Sequence, residues 1–222
     1  MIRCMLSALM AMMIWTPAVF AQSSKLGATV KLGTLGLGAE VTVGLNEKLN
    51  LRVGINGLTV EDIVEDDAEG DEVDEITSEL NLFTAGALLD FYPGPGSFRF
   101  TAGLLLNNNE ITATADPNDV VEINETEYLV SDVTGEVTFN AIAPYLGLGW
   151  GNAVADGRWH WAFDLGVMFQ GAPDVSLAAT ATDPALQAAL DADIAIELED
   201  FEDEVEAFIV WPVLSMGASL HF

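Results

Sequence analysis

The stretch Trp159-His160-Trp161-Ala162-Phe163-Asp164-Leu165-Gly166-Val167-Met168-Phe169 decides the fold of this chain. Side chains of an extended strand point alternately to its two faces. Here Trp159, Trp161, Phe163, Leu165, Val167 and Phe169 share one face, while His160, Ala162, Asp164, Gly166 and Gln170 share the other. The same period of two recurs three times. Leu49, Leu51, Val53 and Ile55 alternate with Asn50, Arg52, Gly54 and Asn56; Phe98, Phe100, Ala102, Leu104 and Leu106 alternate with Arg99, Thr101, Gly103 and Asn107. Near the end, Phe208, Val210, Leu214, Met216, Ala218, Leu220 and Phe222 are set against Ser215, Gly217, Ser219 and His221. A soluble sandwich also alternates, but this polar face is rich in glycine, asparagine and isolated charges, as a barrel lumen is. The pattern predicts an all-β chain, a single antiparallel transmembrane β-barrel.

Composition agrees. The 222 residues suit one domain, and half of them are hydrophobic with a mean hydropathy of +0.34. Beyond the first twenty or so residues, no apolar run reaches the roughly 20 residues that a membrane helix needs. The leader joins Arg3 to an apolar run over 5–19 and then Ala18-Val19-Phe20-Ala21-Gln22, the order of a secretory signal. Residues 1–21 are thus read as a signal peptide cut after Ala21, and 22–222 as the barrel domain. Cys4 lies at the start of the apolar run, so the signal is not of the lipoprotein kind, and the mature chain crosses an oxidising compartment without a thiol. A formal charge of −28 excludes nucleic acid as a partner, since little could neutralise phosphates.

Connections are of two kinds. Asn46-Glu47-Lys48, Pro93-Gly94-Pro95-Gly96 and 152–157 are short, whereas 61–75, 112–135 and 172–207 are long and polar, and the two kinds alternate along the chain. Outer-membrane barrels keep short turns on the periplasmic side and long loops outside, which sets the orientation. Phe91, Tyr92, Phe98, Trp150, Trp159, Trp161 and Phe222 lie beside short turns or at the C-terminus, and are expected to form one interfacial girdle on the periplasmic side.

Leu26, Ala28, Val30 and Leu32 occupy even positions, but Leu35, Leu37, Val41, Val43 and Leu45 occupy odd ones. A slip of one residue reverses the faces, so a break lies near Gly33-Thr34. A tight turn there gives eight strands and a bulge gives seven; the even strand number of single-chain bacterial barrels favours eight. One segment reads as a helix: Asp183 as N-cap, Pro184 at the first position, then Leu186, Leu190, Ile194, Leu198, Phe201 and Val205 at helical spacing among acids. It is expected as an amphipathic helix in the last external loop, a lid on the barrel rim, with a docking element as the alternative.

The only histidines, His160 and His221, fall beside periplasmic ends, so no base stands near the external rim and no enzyme is expected. No cofactor is expected either. Ten acids crowd into 61–75, but the spacing of a single-loop calcium site is lacking, which leaves Asp66, Asp67 and Asp71 as weak metal candidates in a solvated charge run. Like-charge repulsion is expected to keep that loop open. Glu40, Arg52, Arg99 and Asp164 fall on the inward face, with Asp90 as a further candidate. In an eight-stranded barrel they form either a salt-bridge plug or a narrow polar path.

Several stretches together resemble the CarO-type small outer-membrane proteins: Val43-Gly44-Leu45 running into Leu49-Asn50-Leu51-Arg52-Val53-Gly54 and Asn56-Gly57, Leu88-Leu89-Asp90-Phe91-Tyr92-Pro93, Phe98-Arg99-Phe100-Thr101-Ala102-Gly103, Ala143-Pro144-Tyr145-Leu146-Gly147-Leu148-Gly149 and Gly171-Ala172-Pro173-Asp174-Val175. The resemblance implies an eight-stranded barrel with a structured external cap and a role in passage of small basic amino acids such as ornithine. It carries over no binding residue. The expected function is a porin-like barrel of the Gram-negative outer membrane that passes or binds small polar or cationic solutes; the alternative is a closed structural barrel serving envelope integrity or surface contact. Outer-membrane lipid and the barrel-assembly machinery are the expected partners, the latter reading Ala218, Leu220 and Phe222 as a C-terminal signal.

Overall fold

A computed structural model describes residues 25–66, 74–115, 120–124, 126–205 and 208–222. The leader at 1–21, Asp67 and Asp71 lie outside the described residues, as does the side chain of Asp66. The elements are β1 (Leu26–Gly33), β2 (Gly36–Gly44), β3 (Leu49–Asp66), β4 (Asp74–Phe91), β5 (Phe98–Asn107), β6 (Glu110–Ala115), β7 (Val120–Ile123), β8 (Thr126–Thr138), β9 (Ile142–Trp150), β10 (Trp159–Phe169), β11 (Asp174–Ala181), α1 (Gln187–Val205) and β12 (Val210–His221).

Eight strands close a barrel. In the order β1, β2, β3, β4, β5, β9, β10, β12 each pairs antiparallel with the next, and β12 returns to β1. The break near Gly33 is a two-residue turn, Thr34-Leu35, closed by the pair Gly33↔Gly36, with Gly36 at a φ of +87° that favours glycine. The barrel is inside-out relative to a soluble protein. Val30, Leu32, Leu37, Val53, Leu104, Leu146, Leu165 and Met216 are exposed around its circumference, while Lys31, Glu40, Asn50, Arg52, Asp90, Arg99 and Asp164 are buried within it. Such a distribution fits a hydrocarbon solvent outside.

Among the described residues the long connections are not open loops. β3 and β4 stay paired from Leu49↔Phe91 to Asp66↔Asp74, far beyond the point where β2 ends at Leu37↔Gly57. The upper half of β4 pairs with β6, β6 with β8, and β8 with β11, building an external sheet on top of one side of the barrel. The acids of 61–66 and 74–75 thus form a paired ribbon, contrary to the expectation that repulsion opens it: backbone pairing propagated from the barrel wall outweighs like-charge pairs costing some tenths of a kcal/mol each.

Directly opposite residues share a face, which makes this head amphipathic. Val60, Leu80, Ile111, Val137 and Val175 form one row across the five strands, and Glu61, Glu79, Thr112, Glu136 and Ser176 form the adjoining row on the other face. The helix covers the β7, β8 and β11 side of the apolar face: Leu190, Ile194 and Leu198 pack with Ile123, Tyr128, Val130, Leu177, Ala179 and Ala181. It docks on the head sheet and not on the barrel rim, and Leu186 and Phe201 of the expected stripe are exposed. Asp183 caps the turn that precedes the helix, its Oδ1 accepting from Ala185 N at 2.9 Å.

Candidate functional site

The barrel interior is the polar centre of the molecule, and the inward phase of each strand builds it. Lys31 comes from β1, Glu40 from β2, Arg52 from β3, Asp90 from β4, Arg99 from β5 and Asp164 from β10, three cations against three carboxylates. Lys31 Nζ lies 2.6 Å from Glu40 Oε1, and Arg52 Nη1 lies 3.1 Å from Glu40 Oε2. Arg52 Nη2 donates to Asp90 Oδ1 at 3.1 Å and to Asp164 Oδ1 at 3.2 Å, while its Nε sits 2.8 Å from Asp90 Oδ2 without hydrogen-bond alignment. Arg99 Nη2 donates to Asp164 Oδ1 at 2.7 Å, Thr101 Oγ1 donates to Asp90 Oδ1 at 2.7 Å, and Arg99 Nη1 donates to the Gly151 carbonyl. All five inward residues expected from sequence are in this one network.

Lys31 is the member that the sequence reading passed over. Its signal was present, since it stands on the odd, inward phase between Val30 and Leu32. The glycines of the polar face have a steric reason. A Cβ at Gly54 would lie 2.5 Å from Glu40 Cγ, and one at Gly149 would lie 2.8 Å from Arg99 Cζ. Glu40 and Arg99 therefore each lie across a glycine on the neighbouring strand.

The network is stoppered at both ends. At the end that carries the head sheet Leu35, Leu88, Leu105, Ala143, Tyr145, Met168 and Val213 form a buried apolar cluster with Trp211 against it. Leu35 therefore points inward from the β1–β2 turn and not outward with Leu37. At the short-turn end Tyr92 is buried and donates to the Gly151 carbonyl at 3.1 Å, and Asn50 Nδ2 donates to Asn152 Oδ1 at 3.0 Å. Val154 of the β9–β10 turn is buried beneath them. Tyr92 accordingly leaves the expected girdle, because Pro93 follows it at the strand end and its phase is that of Asp90. Phe98, Phe100, Trp150 and Phe163 do stack on the outer surface, with ring centroids 5.1 to 5.9 Å apart.

Voids of about 20 Å3 and 10 Å3 flank the Glu40–Arg52 pair, one toward the apolar stopper and one toward Tyr92. A single water needs roughly 10–15 Å3, so neither admits a solute.

Solved structures share the fold of this eight-stranded barrel. Acinetobacter baumannii CarO2 superimposes with a TM-score of 0.56 at 21% identity, covering 90% of this chain and 100% of that one. The fold is that of the CarO-type small barrel. Acinetobacter baumannii CarO gives a TM-score of 0.53 at 20% identity over 88% of this chain and 97% of its own. A major outer membrane protein from Thermus thermophilus aligns at 14% identity and a TM-score of 0.48, covering 90% of this chain and 100% of its own. No protein-family model and no curated protein sequence matches the chain.

In the head, a second set of polar contacts fixes the helix. Tyr128 Oη donates to Asp193 Oδ2, Asn124 Nδ2 donates to Asp193 Oδ1 at 3.0 Å, and Asn124 N donates to Glu197 Oε2 at 3.2 Å. Asn124 adopts a φ of 50°, which asparagine tolerates better than most residues, and so turns β7 into β8 toward the helix. The bond from Tyr128 and then that from Asn124 hold the Asp193 carboxyl below its usual range, and the same bond to Asp193 pushes the Tyr128 phenol up. At the other end, β12 places Ser219 inward and Phe222 in the open, with Ala218 beside Val30 and Trp161 and Leu220 beside Ala28 and Trp159.

Proposed function

We propose that the protein is a closed barrel of the outer membrane whose working part is the acidic sheet-and-helix head it holds outside. The observation that carries this reading is the Lys31–Glu40–Arg52–Asp164–Arg99 network, stoppered on both sides and flanked by water-sized voids. Passage of small cationic solutes, which the CarO resemblance implies, requires Arg52 to leave Glu40, Asp90 and Asp164 together. Separating a buried cation from its partners costs about 3–5 kcal/mol, and the apolar stopper has to move as well.

Liposome swelling tests this. Proteoliposomes of the refolded protein diluted into iso-osmotic lysine or glycine are expected to swell no faster than empty liposomes; swelling that lysine drives faster than a neutral solute of similar size would establish the pore. We also read Ala218, Leu220 and Phe222 as the signal that the barrel-assembly machinery takes up. Deletion of Phe222 is expected to leave the chain in the periplasm, and normal insertion of the truncated chain would refute that role.

A further inference from the structure

The upper half of β3 is half a ribbon. From Gly57 downward β2 pairs with one side of β3 and β4 with the other, but above Gly57 only β4 does, and among the described residues no backbone hydrogen bond reaches the other side. The alternation of an antiparallel ladder says which groups are left over. Leu45 N donates to the Leu49 carbonyl, so odd residues of β3 turn their backbone toward β2; Tyr92 N donates to the carbonyl of Lys48, so even positions face β4. Above Gly57 the N–H and C=O groups of Thr59, Glu61, Ile63 and Glu65 therefore point off the edge of the sheet.

Side chains at 58–61 are open on both faces. Leu58 and Val60 are 44% and 45% exposed on the apolar face that the helix leaves uncovered, and Thr59 and Glu61 are exposed on the other. A long open edge of this kind is a template for another strand unless something guards it. The guard is charge: Glu61↔Glu79, Glu65↔Glu75 and Asp66↔Asp74 stand directly opposite one another. A second copy of this edge would set acid beside acid, so charge blocks self-pairing. The same acids attract a cationic strand.

We propose that residues 58–66 of β3 form a docking edge for an extended basic segment of another protein, taken up as an added strand; beside residues 58–61 its side chains alternate between apolar and Lys or Arg. Apolar side chains of the guest lie beside Leu58 and Val60 and continue the apolar face; its cations lie beside Glu61 and near Glu79. Backbone pairing gives affinity and the alternation gives selectivity. This rests on the head being the working surface, yet it can fail without that reading failing: a swelling-negative barrel that ignores such a segment leaves the closed barrel intact.

The test uses the full refolded protein in detergent micelles and a fluorescent nonapeptide alternating valine and lysine, followed by anisotropy. A peptide of the same composition with its valines and lysines in two blocks is the control for loose attraction to a highly acidic surface. The alternating peptide is expected to bind at least about tenfold more tightly than the blocked one. Thr59→Pro with Ile63→Pro removes two edge N–H groups, keeps every acid and spares the ladder to β4; it is expected to erase that preference while the barrel keeps its heat-modifiable mobility. Glu61→Gln with Glu79→Gln is expected to weaken binding and flatten its salt dependence. Equal affinity for the two peptides, or an unchanged preference in the proline variant, would overturn the proposal. So would parent protein that self-associates through this edge, read as dimers that the proline variant loses.

Discussion

β3 and β4 each run through two environments without a break, and the two halves of each strand obey opposite rules. Below the pair Gly57↔Phe83, the odd residues Val53, Ile55, Ala85, Ala87 and Leu89 face lipid and the even residues Asn50, Arg52, Thr84 and Asp90 face the interior. Above it the even residues Leu58, Val60 and Leu80 are the apolar ones and the odd residues Thr59, Glu61 and Glu79 the polar ones. Register is continuous across the change. What inverts is the solvent, hydrocarbon outside the barrel and water outside the head, so one ribbon marks the external boundary of the membrane in its own side chains. Lower and upper halves also differ in what holds them: the barrel is closed by charge inside a ring of strands, and the head by apolar packing against one helix.

The largest effect is expected where the barrel is held by charge. Arg52→Ala leaves Glu40, Asp90 and Asp164 to share Lys31 and Arg99, and is expected to cost about 3–5 kcal/mol in urea unfolding from liposomes. A loss below about 1 kcal/mol would mean that the network is slack.

The phase inversion gives the next contrast. Val53→Arg puts a charge on the lipid face and is expected to cost about 2–4 kcal/mol if it lies near mid-bilayer, whereas Thr59→Arg, six residues on in the same strand and also outward, should stay within about 0.5 kcal/mol. Equal losses at the two sites would remove the boundary from Gly57↔Phe83.

For the head, Leu190→Ala is expected to release the helix at a local cost of about 2–3 kcal/mol. Hydrogen exchange should rise over the helix and β7 and stay unchanged in the barrel strands. Protection lost equally in both would mean that head and barrel unfold as one.

The smallest effect is the pH dependence of the helix contact. Asp193 has a lowered pKa, so its contribution is complete above the ordinary 3.8 and is lost as pH falls through a still lower value. Tyr128 has a raised pKa, so its contribution is complete below 10 and is lost as pH rises beyond it. Exchange protection of the helix is therefore expected to be level from about pH 4 to 10 and to drop outside that window, and Asp193→Asn should abolish the acid limb and weaken the alkaline one, since the Tyr128 shift comes from the same carboxylate.

Much of the barrel was legible because period two is a local signal, and the inward charges were legible with it. Arg52, Arg99 and Asp164 stand out of phase with rows of apolar residues in their own strands, so their side was fixed once the strands were. Lys31 was equally readable from its phase. The head was not, for a physical reason: 61–75 and 112–135 look like loops to a reading that equates acids and threonines with open chain, while their strand character comes from pairing to β4 and β8 far away in sequence. Phase inversion hid it further, since a reversal near Gly33 marks a turn whereas the one near Gly57 marks only a change of solvent. Tyr92 was misplaced because adjacency to a turn says nothing of side, and Leu186 and Phe201 because helical spacing does not tell how wide a face the sheet can cover.

Conductance of single refolded barrels in planar bilayers tests the closed interior most directly. The account predicts a silent protein for the natural sequence at low and high salt, in a preparation shown to be folded by its heat-modifiable mobility. Discrete cation-selective steps that lysine or ornithine blocks would contradict it and return the Arg52 network to the role of a gate.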